Sequence, residues 1–210
     1  MNSIVKPEQA LTPSRSVALA LADETDLAAL MSRAAELRDE AHGPRISYSR
    51  KIFIPLTQLC RNVCHYCTFA QTPKKIGQPY MLPEQVLNVA RQGAAAGCHE
   101  ALFTLGDKPE MRYETARKAL ADLGYATTMD YVLAMAKLVF DETGLLPHTN
   151  CGVLAEDELQ LLKEVTISMG LMLENVSYRL LQRGGPHFGC DSKAPSMRLE
   201  TLAHAGELYI

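Results

Sequence analysis

From Lys51 onward, short apolar runs alternate with stretches in which apolar residues recur every three or four positions. That alternation predicts strands separated by amphipathic helices. Strands are expected over 51–56, 101–105, 145–150 and 165–173, with a fifth beginning over 207–210. Helices are expected over 83–96, 111–123, 128–142, 156–164 and 195–205, with a short one near 176–182. Pro83 suits a first helical turn, and Gly97, Gly124 and Gly144 suit helix stops. Ahead of these, residues 1–48 read as an N-terminal helical extension. Asp26 is a candidate cap for a helix in which Leu27, Leu30, Met31, Ala34 and Leu37 share one face. That helix is expected to end near Gly43-Pro44, and its apolar face to serve packing.

Repeated strand–helix units imply parallel strands joined by helical crossovers. The expectation is an α/β fold, with residues 49–210 forming a partial (β/α) barrel. Polar or glycine-containing segments directly follow the strands at 57–67, Gly106-Asp107, 150–152 and Glu174-Asn175. In a (β/α) barrel that end of the sheet is the catalytic face. A complete barrel has eight strands and takes about 250 residues. With about five strands and Ile210 falling inside the last, the barrel reads as incomplete, truncated at its C-terminus. Such a fragment is expected to expose strand edges and to be poorly soluble alone.

Composition narrows the function classes. The 210 residues suffice for one hydrophobic core, and 47% hydrophobic with 21% charged is ordinary for a globular protein. A net charge of −3 offers no electrostatic reason to bind nucleic acid or an anionic membrane. No apolar run approaches the ~18 residues of a membrane span. Met1 to Gln9 lacks the basic and then apolar pattern of a secretory signal. The six cysteines therefore point away from a disulfide framework. Three of them, Cys60, Cys64 and Cys67, fall within eight residues, which suggests a metal or cluster site in a reducing, cytoplasmic setting.

The cysteine segment reads Cys60-Arg-Asn-Val-Cys64-His-Tyr-Cys67. A short loop with this spacing can wrap three thiolates around a cubane cluster and leave one iron open to a small molecule. Structural zinc is the competing reading, but it usually takes four ligands in two pairs, and no second pair is present. His65 is badly placed beside Cys64, while Cys98, Cys151 and Cys190 lie far off in sequence. Three buried inert cysteines are the remaining alternative, which the spacing and the position after the first strand disfavour.

Cys-x₃-Cys-x₂-Cys after the first strand, with aromatic Tyr66 before the last cysteine, resembles the radical S-adenosylmethionine (SAM) superfamily. The resemblance implies a [4Fe–4S] cluster on Cys60, Cys64 and Cys67, SAM on the open iron, and Tyr66 against the SAM adenine. It also implies reductive cleavage of SAM, with an electron donor as partner. Further blocks are more particular: 46–57, 64–70, 100–110, 143–150 and 168–174. They resemble the FO synthase family, specifically its 7,8-didemethyl-8-hydroxy-5-deazariboflavin synthase component, which works in coenzyme F420 biosynthesis. That implies closure of a deazaflavin ring from a tyrosine-derived ribityl-uracil adduct, with loss of ammonia. A companion radical SAM component, separate or fused, would make the adduct; the alternatives are that this chain is that coupling component, another radical SAM enzyme, or a catalytically incomplete fragment.

The resemblance places Gly106 and Asp107 near the SAM amino group; the alternative for Asp107 is a cap at the strand-ending turn. Ser168 and Glu174 would hold ribose or substrate hydroxyls, and Asn150 lies with His148 at the end of the third strand. No catalytic residue is assigned. Cys151 stands where the family has proline, which predicts a looser turn although Gly152 is kept. The family's later glycine-rich SAM-binding strand has no counterpart before Ile210.

Overall fold

The structure is a computed structural model that describes residues 14–210. These fall into two compact units, one ending at Tyr48 and the other running from Ser49 to Ile210. The first holds helices α1 (Arg15–Ala20) and α2 (Leu27–His42). Asp26 caps α2 by accepting the Ala29 N–H at 3.0 Å. At the other end Gly43 adopts φ 73°, a left-handed conformation that glycine enters without steric cost.

The second unit is a parallel sheet of four strands in the order β1-β2-β3-β4. The strands are β1 (Lys51–Pro55), β2 (Glu100–Thr104), β3 (Leu146–Asn150) and β4 (Ser168–Met169). Helix α3 (Pro83–Ala95) returns the chain from β1 to β2. Helices α4 (Glu114–Asp122) and α5 (Thr128–Thr143) lead to β3, and α6 (Glu156–Lys163) to β4. Helix α7 (Pro195–Glu207) comes last.

Side chains alternate across a strand, so the sheet has two distinct faces. Ile54, Ala101 and Phe103 are fully buried against Val86 and Ala90 of α3, Leu120 of α4 and Val132 and Val139 of α5. Gly93 lets α3 lie close, because a Cβ there would stand 2.5 Å from Ile52. The opposite face carries three register-aligned rows. Lys51, Glu100 and Leu146 form the lowest; Phe53, Leu102, His148 and Ser168 the middle; Pro55, Thr104 and Asn150 the highest.

Most expected elements recur within a residue or two, and three differ. The fourth strand shrinks to Ser168–Met169, flanked by two further bonds to the β3 backbone, Ile167 N–H to Pro147 O at 2.9 Å and Gly170 N–H to Thr149 O at 2.8 Å; among the described residues β3 is its one strand partner. The helix expected over 111–123 splits at Arg112 and Tyr113 into a 3-10 turn, Pro109–Met111, and α4, because Tyr113 is extended. Residues 207–210 are not a strand: α7 runs to Glu207, and the Ile210 N–H closes back on Ala205 O at 2.9 Å. Helix continuation satisfies those backbone groups locally, so no strand partner is required. Among the described residues no helix is long and apolar enough to cross a membrane.

Candidate functional site

The loop after β1 starts from buried anchors. Leu56 and Leu59 are fully buried, and between them Thr57 donates from Oγ1 to Pro79 O at 2.6 Å. Thr57 Oγ1 also accepts the Leu59 N–H at 3.1 Å, and Thr57 O accepts the Gly106 N–H at 3.0 Å. The start of the cysteine loop is thereby laced to the end of β2. The approach is very close, since a Cβ on Gly106 would stand 1.8 Å from Leu59 O and 2.8 Å from Cys60 Cβ. Only a residue without a side chain fits there.

Cys60, Cys64 and Cys67 line one cavity of about 210 Å³ together with Tyr66, Gly106, Asp107, Asn150 and Glu174. Of the site residues singled out from sequence, Ser168 and His148 lie outside it. The Ser168 hydroxyl instead meets His148 Nδ1 at 2.6 Å. Cys60 Sγ accepts two backbone N–H groups, from Asp107 at 3.2 Å and Asn62 at 3.4 Å. Cys67 Sγ accepts the Ala70 N–H at 3.4 Å. Burial pushes the Cys64 thiol up to about 12, with the neighbouring Cys190 thiol adding to the effect. Burial also raises Cys60, against the pull of its two N–H donors.

Asp107 is nearly fully buried, and its carboxylate is taken up within the protein. Arg61 Nε lies 3.1 Å from Oδ1, while Asn62 and Ser192 donate to Oδ2. It therefore ties the cysteine loop to β2 and to the segment before α7. It caps no helix. Tyr66 meets His187 Nε2 at 3.0 Å through its hydroxyl, and burial and the Glu174 charge raise its phenol to about 12.

Of the far wall, only Glu174 was legible in the sequence. Lys193 and Arg198 line the cavity from the C-terminal segment, more than 120 residues after the cysteine loop. Lys193 pairs with Glu174 at 2.7 Å. Burial pushes the Glu174 carboxyl up, but Lys193 and Arg198 outweigh it and hold the group below its ordinary value. Glu174 also sits at φ 64°, a strained conformation for a non-glycine residue that tends to mark functional positions. Arg198 is nearly buried and donates to Met172 O at 2.7 Å and Ser192 O at 3.0 Å. Cys190, another residue with no sequence signal, accepts the Val63 N–H at 3.2 Å from within the cysteine loop.

These residues suit a group wider than one ion. Among the described residues no set of three His, Cys, Asp or Glu side chains closes around a single metal. Instead the three thiols share one cavity whose far wall supplies Lys193, Arg198 and Glu174. The sequence model of the Radical SAM superfamily matches residues 54–207. The chain belongs to that superfamily. Its members generally use a [4Fe–4S] cluster and SAM, and the thiol donors and the charged wall fit such a pair.

The chain is 50% identical over 200 residues to the FO synthase of Mycobacterium tuberculosis, covering 88% of this chain and 23% of that protein. It is 43% identical over 165 residues to the 7,8-didemethyl-8-hydroxy-5-deazariboflavin synthase of Methanopyrus kandleri, covering 79% and 49%. It thus spans about a quarter of the first relative's length and half of the second's. The FeFe-hydrogenase maturase HydG from Carboxydothermus hydrogenoformans shares the fold, with a TM-score of 0.67 at 20% identity over 86% of this chain and 38% of its own. Methylornithine synthase also shares it, with a TM-score of 0.60 at 18% identity over 85% and 47%. Both likenesses support the barrel-type α/β fold expected from the strand–helix pattern.

Proposed function

We propose that this chain is the cluster- and SAM-holding part of an FO synthase, in its deazaflavin-forming component. The observation that carries the reading is the single cavity uniting Cys60, Cys64 and Cys67 with a charged wall, in a chain half identical to an FO synthase. The substrate would be the tyrosine-derived ribityl-uracil adduct, and the products the deazaflavin FO, ammonia, 5′-deoxyadenosine and methionine. A companion component would supply the adduct, and a reductant the electron. In cells this chemistry belongs to the reducing cytoplasm.

Cys60, Cys64 and Cys67 would hold the cluster, with the N–H groups of Asn62 and Asp107 stabilising the Cys60 thiolate. When bound, the cluster and SAM supply one-electron reduction and a group that abstracts hydrogen. Lys193 and Arg198 bring positive charge, and Glu174 negative charge, to the wall where SAM carries its carboxylate and ammonium. Tyr66 presents a flat, partly exposed ring where the adenine would stack. Asn150 and the Gly106 backbone would complete the contacts. Burial favours the protonated form of Cys60 and Cys64, so loading iron there must release protons.

The test is anaerobic reconstitution of the full chain with iron and sulfide, followed by reduction with SAM and the adduct. Expected are about four irons per chain, 5′-deoxyadenosine by chromatography and a deazaflavin by fluorescence. SAM cleavage without deazaflavin would overturn the substrate assignment. An absence of iron uptake would overturn the whole reading.

A further inference from the structure

The middle row of the open sheet face, Phe53-Leu102-His148-Ser168, is unused by the cluster site. It nevertheless lies on the same face as Thr104 and Asn150, which line the cysteine cavity. Two residues along a strand is about 7 Å, so the row sits one layer beneath that cavity. The layer below it is closed by the Lys51–Glu100 ion pair. Whatever enters from the cysteine side therefore meets this row as its floor.

The row has an apolar half and a polar half. Phe53 is 59% exposed, although its neighbour Ile54 is fully buried. Leu102 stands beside it in register. On the other side His148 Nδ1 is held by the Ser168 hydroxyl at 2.6 Å. Nε2 has no hydrogen-bond partner among the described residues. His148 is part-buried and Nε2 is not among the buried atoms left without a partner, so it stays reachable from the open face. Backbone choice also keeps this nitrogen open: residue 170 is glycine, and a Cβ there would come to 3.2 Å from Nε2. Because a hydroxyl can donate or accept, Ser168 can hold the ring in either tautomer. Nε2 is thus free to serve as donor or acceptor.

We propose that this row recognises the substrate: Phe53 and Leu102 pack on a flat ring, and His148 Nε2 hydrogen-bonds the N–H, O–H or C=O on its edge. The ligand class is a planar aromatic or heterocyclic molecule with a polar rim. The proposal rests on the reading that the substrate is the ribityl-uracil adduct, which has that character. Ser168 is a positioning residue that fixes the imidazole and does not itself touch the ligand. Burial holds the His148 imidazole below its ordinary value, with Lys51 adding to this and Glu100 opposing it, which favours the neutral ring.

The experiment measures adduct binding to the reconstituted full chain by equilibrium dialysis without reductant, so that nothing turns over. His148→Phe keeps a flat ring and removes the polar edge; Phe53→Ala removes the shelf. Each is expected to weaken binding about tenfold, with iron per chain and thermal midpoint as in the parent. Ser168→Ala is expected to weaken it about fivefold, and Ser168→Thr, which keeps the hydroxyl, to restore it. Should the first two variants lose iron, the Ser168 pair decides alone. Parent-like binding by the variants overturns the row while leaving the adduct as substrate. No binding by the parent chain overturns the substrate reading, and the row falls with it.

Discussion

Gly106 is the tightest residue of the site. Its backbone lies against Leu59 O and Cys60 Cβ, so a methyl group there must displace the cysteine loop or β2. Neither neighbour is the far end of a flexible side chain. Gly106→Ala is therefore expected to cost roughly 3 kcal/mol by urea denaturation. Iron uptake should fall with it, read as iron per chain after reconstitution. In the sequence Gly106 stood out only through resemblance and its place after a strand. Its physical role, close approach of two backbones, belongs to residues 46 and 47 positions apart in the chain. Asp107 shows the same limit. Its polar character was visible, but its partners Arg61, Asn62 and Ser192 come from two other segments.

At the level of elements, local chemistry accounts for most of what forms. Helix α5 begins with a capping box in which Thr127 Oγ1 accepts the Asp130 N–H at 3.1 Å and Asp130 Oδ2 accepts the Thr127 N–H at 3.0 Å. It ends at Gly144, at φ 70°. Both signals are written in neighbouring residues, which is why the helix was legible at both ends. Thr127→Ala is expected to destabilise the protein by about 1 kcal/mol, measured by urea denaturation, with the cluster site unchanged. Strand β4 and residues 207–210 were harder. An apolar run does not say whether a neighbour will pair with it, and the final apolar residues were satisfied by helical bonds instead.

For the molecule as a whole, the C-terminal segment closes the site. Arg198 on α7 reaches Met172 O and Ser192 O, joining the chain after β4 to the segment before its own helix. This bridge holds Lys193 and Glu174 in the cavity wall. Arg198→Ala is expected to loosen residues 172–193, seen as faster tryptic cleavage after Arg179 and Arg183. Arg198→Lys is expected not to rescue it, because a single ammonium cannot span two carbonyls as a guanidinium fork does.

The sequence by itself determined the alternation of strands and helices, the caps and stops, and the three-thiol motif. Each of these depends on residues within a few positions of one another, where spacing translates directly into geometry. Only the tertiary structure decided what the thiols face: the Lys193–Glu174 pair, Arg198 and the buried Asp107 with its partners. Those neighbours are chosen by strand register and loop closure, which bring together segments that local pattern leaves unconnected.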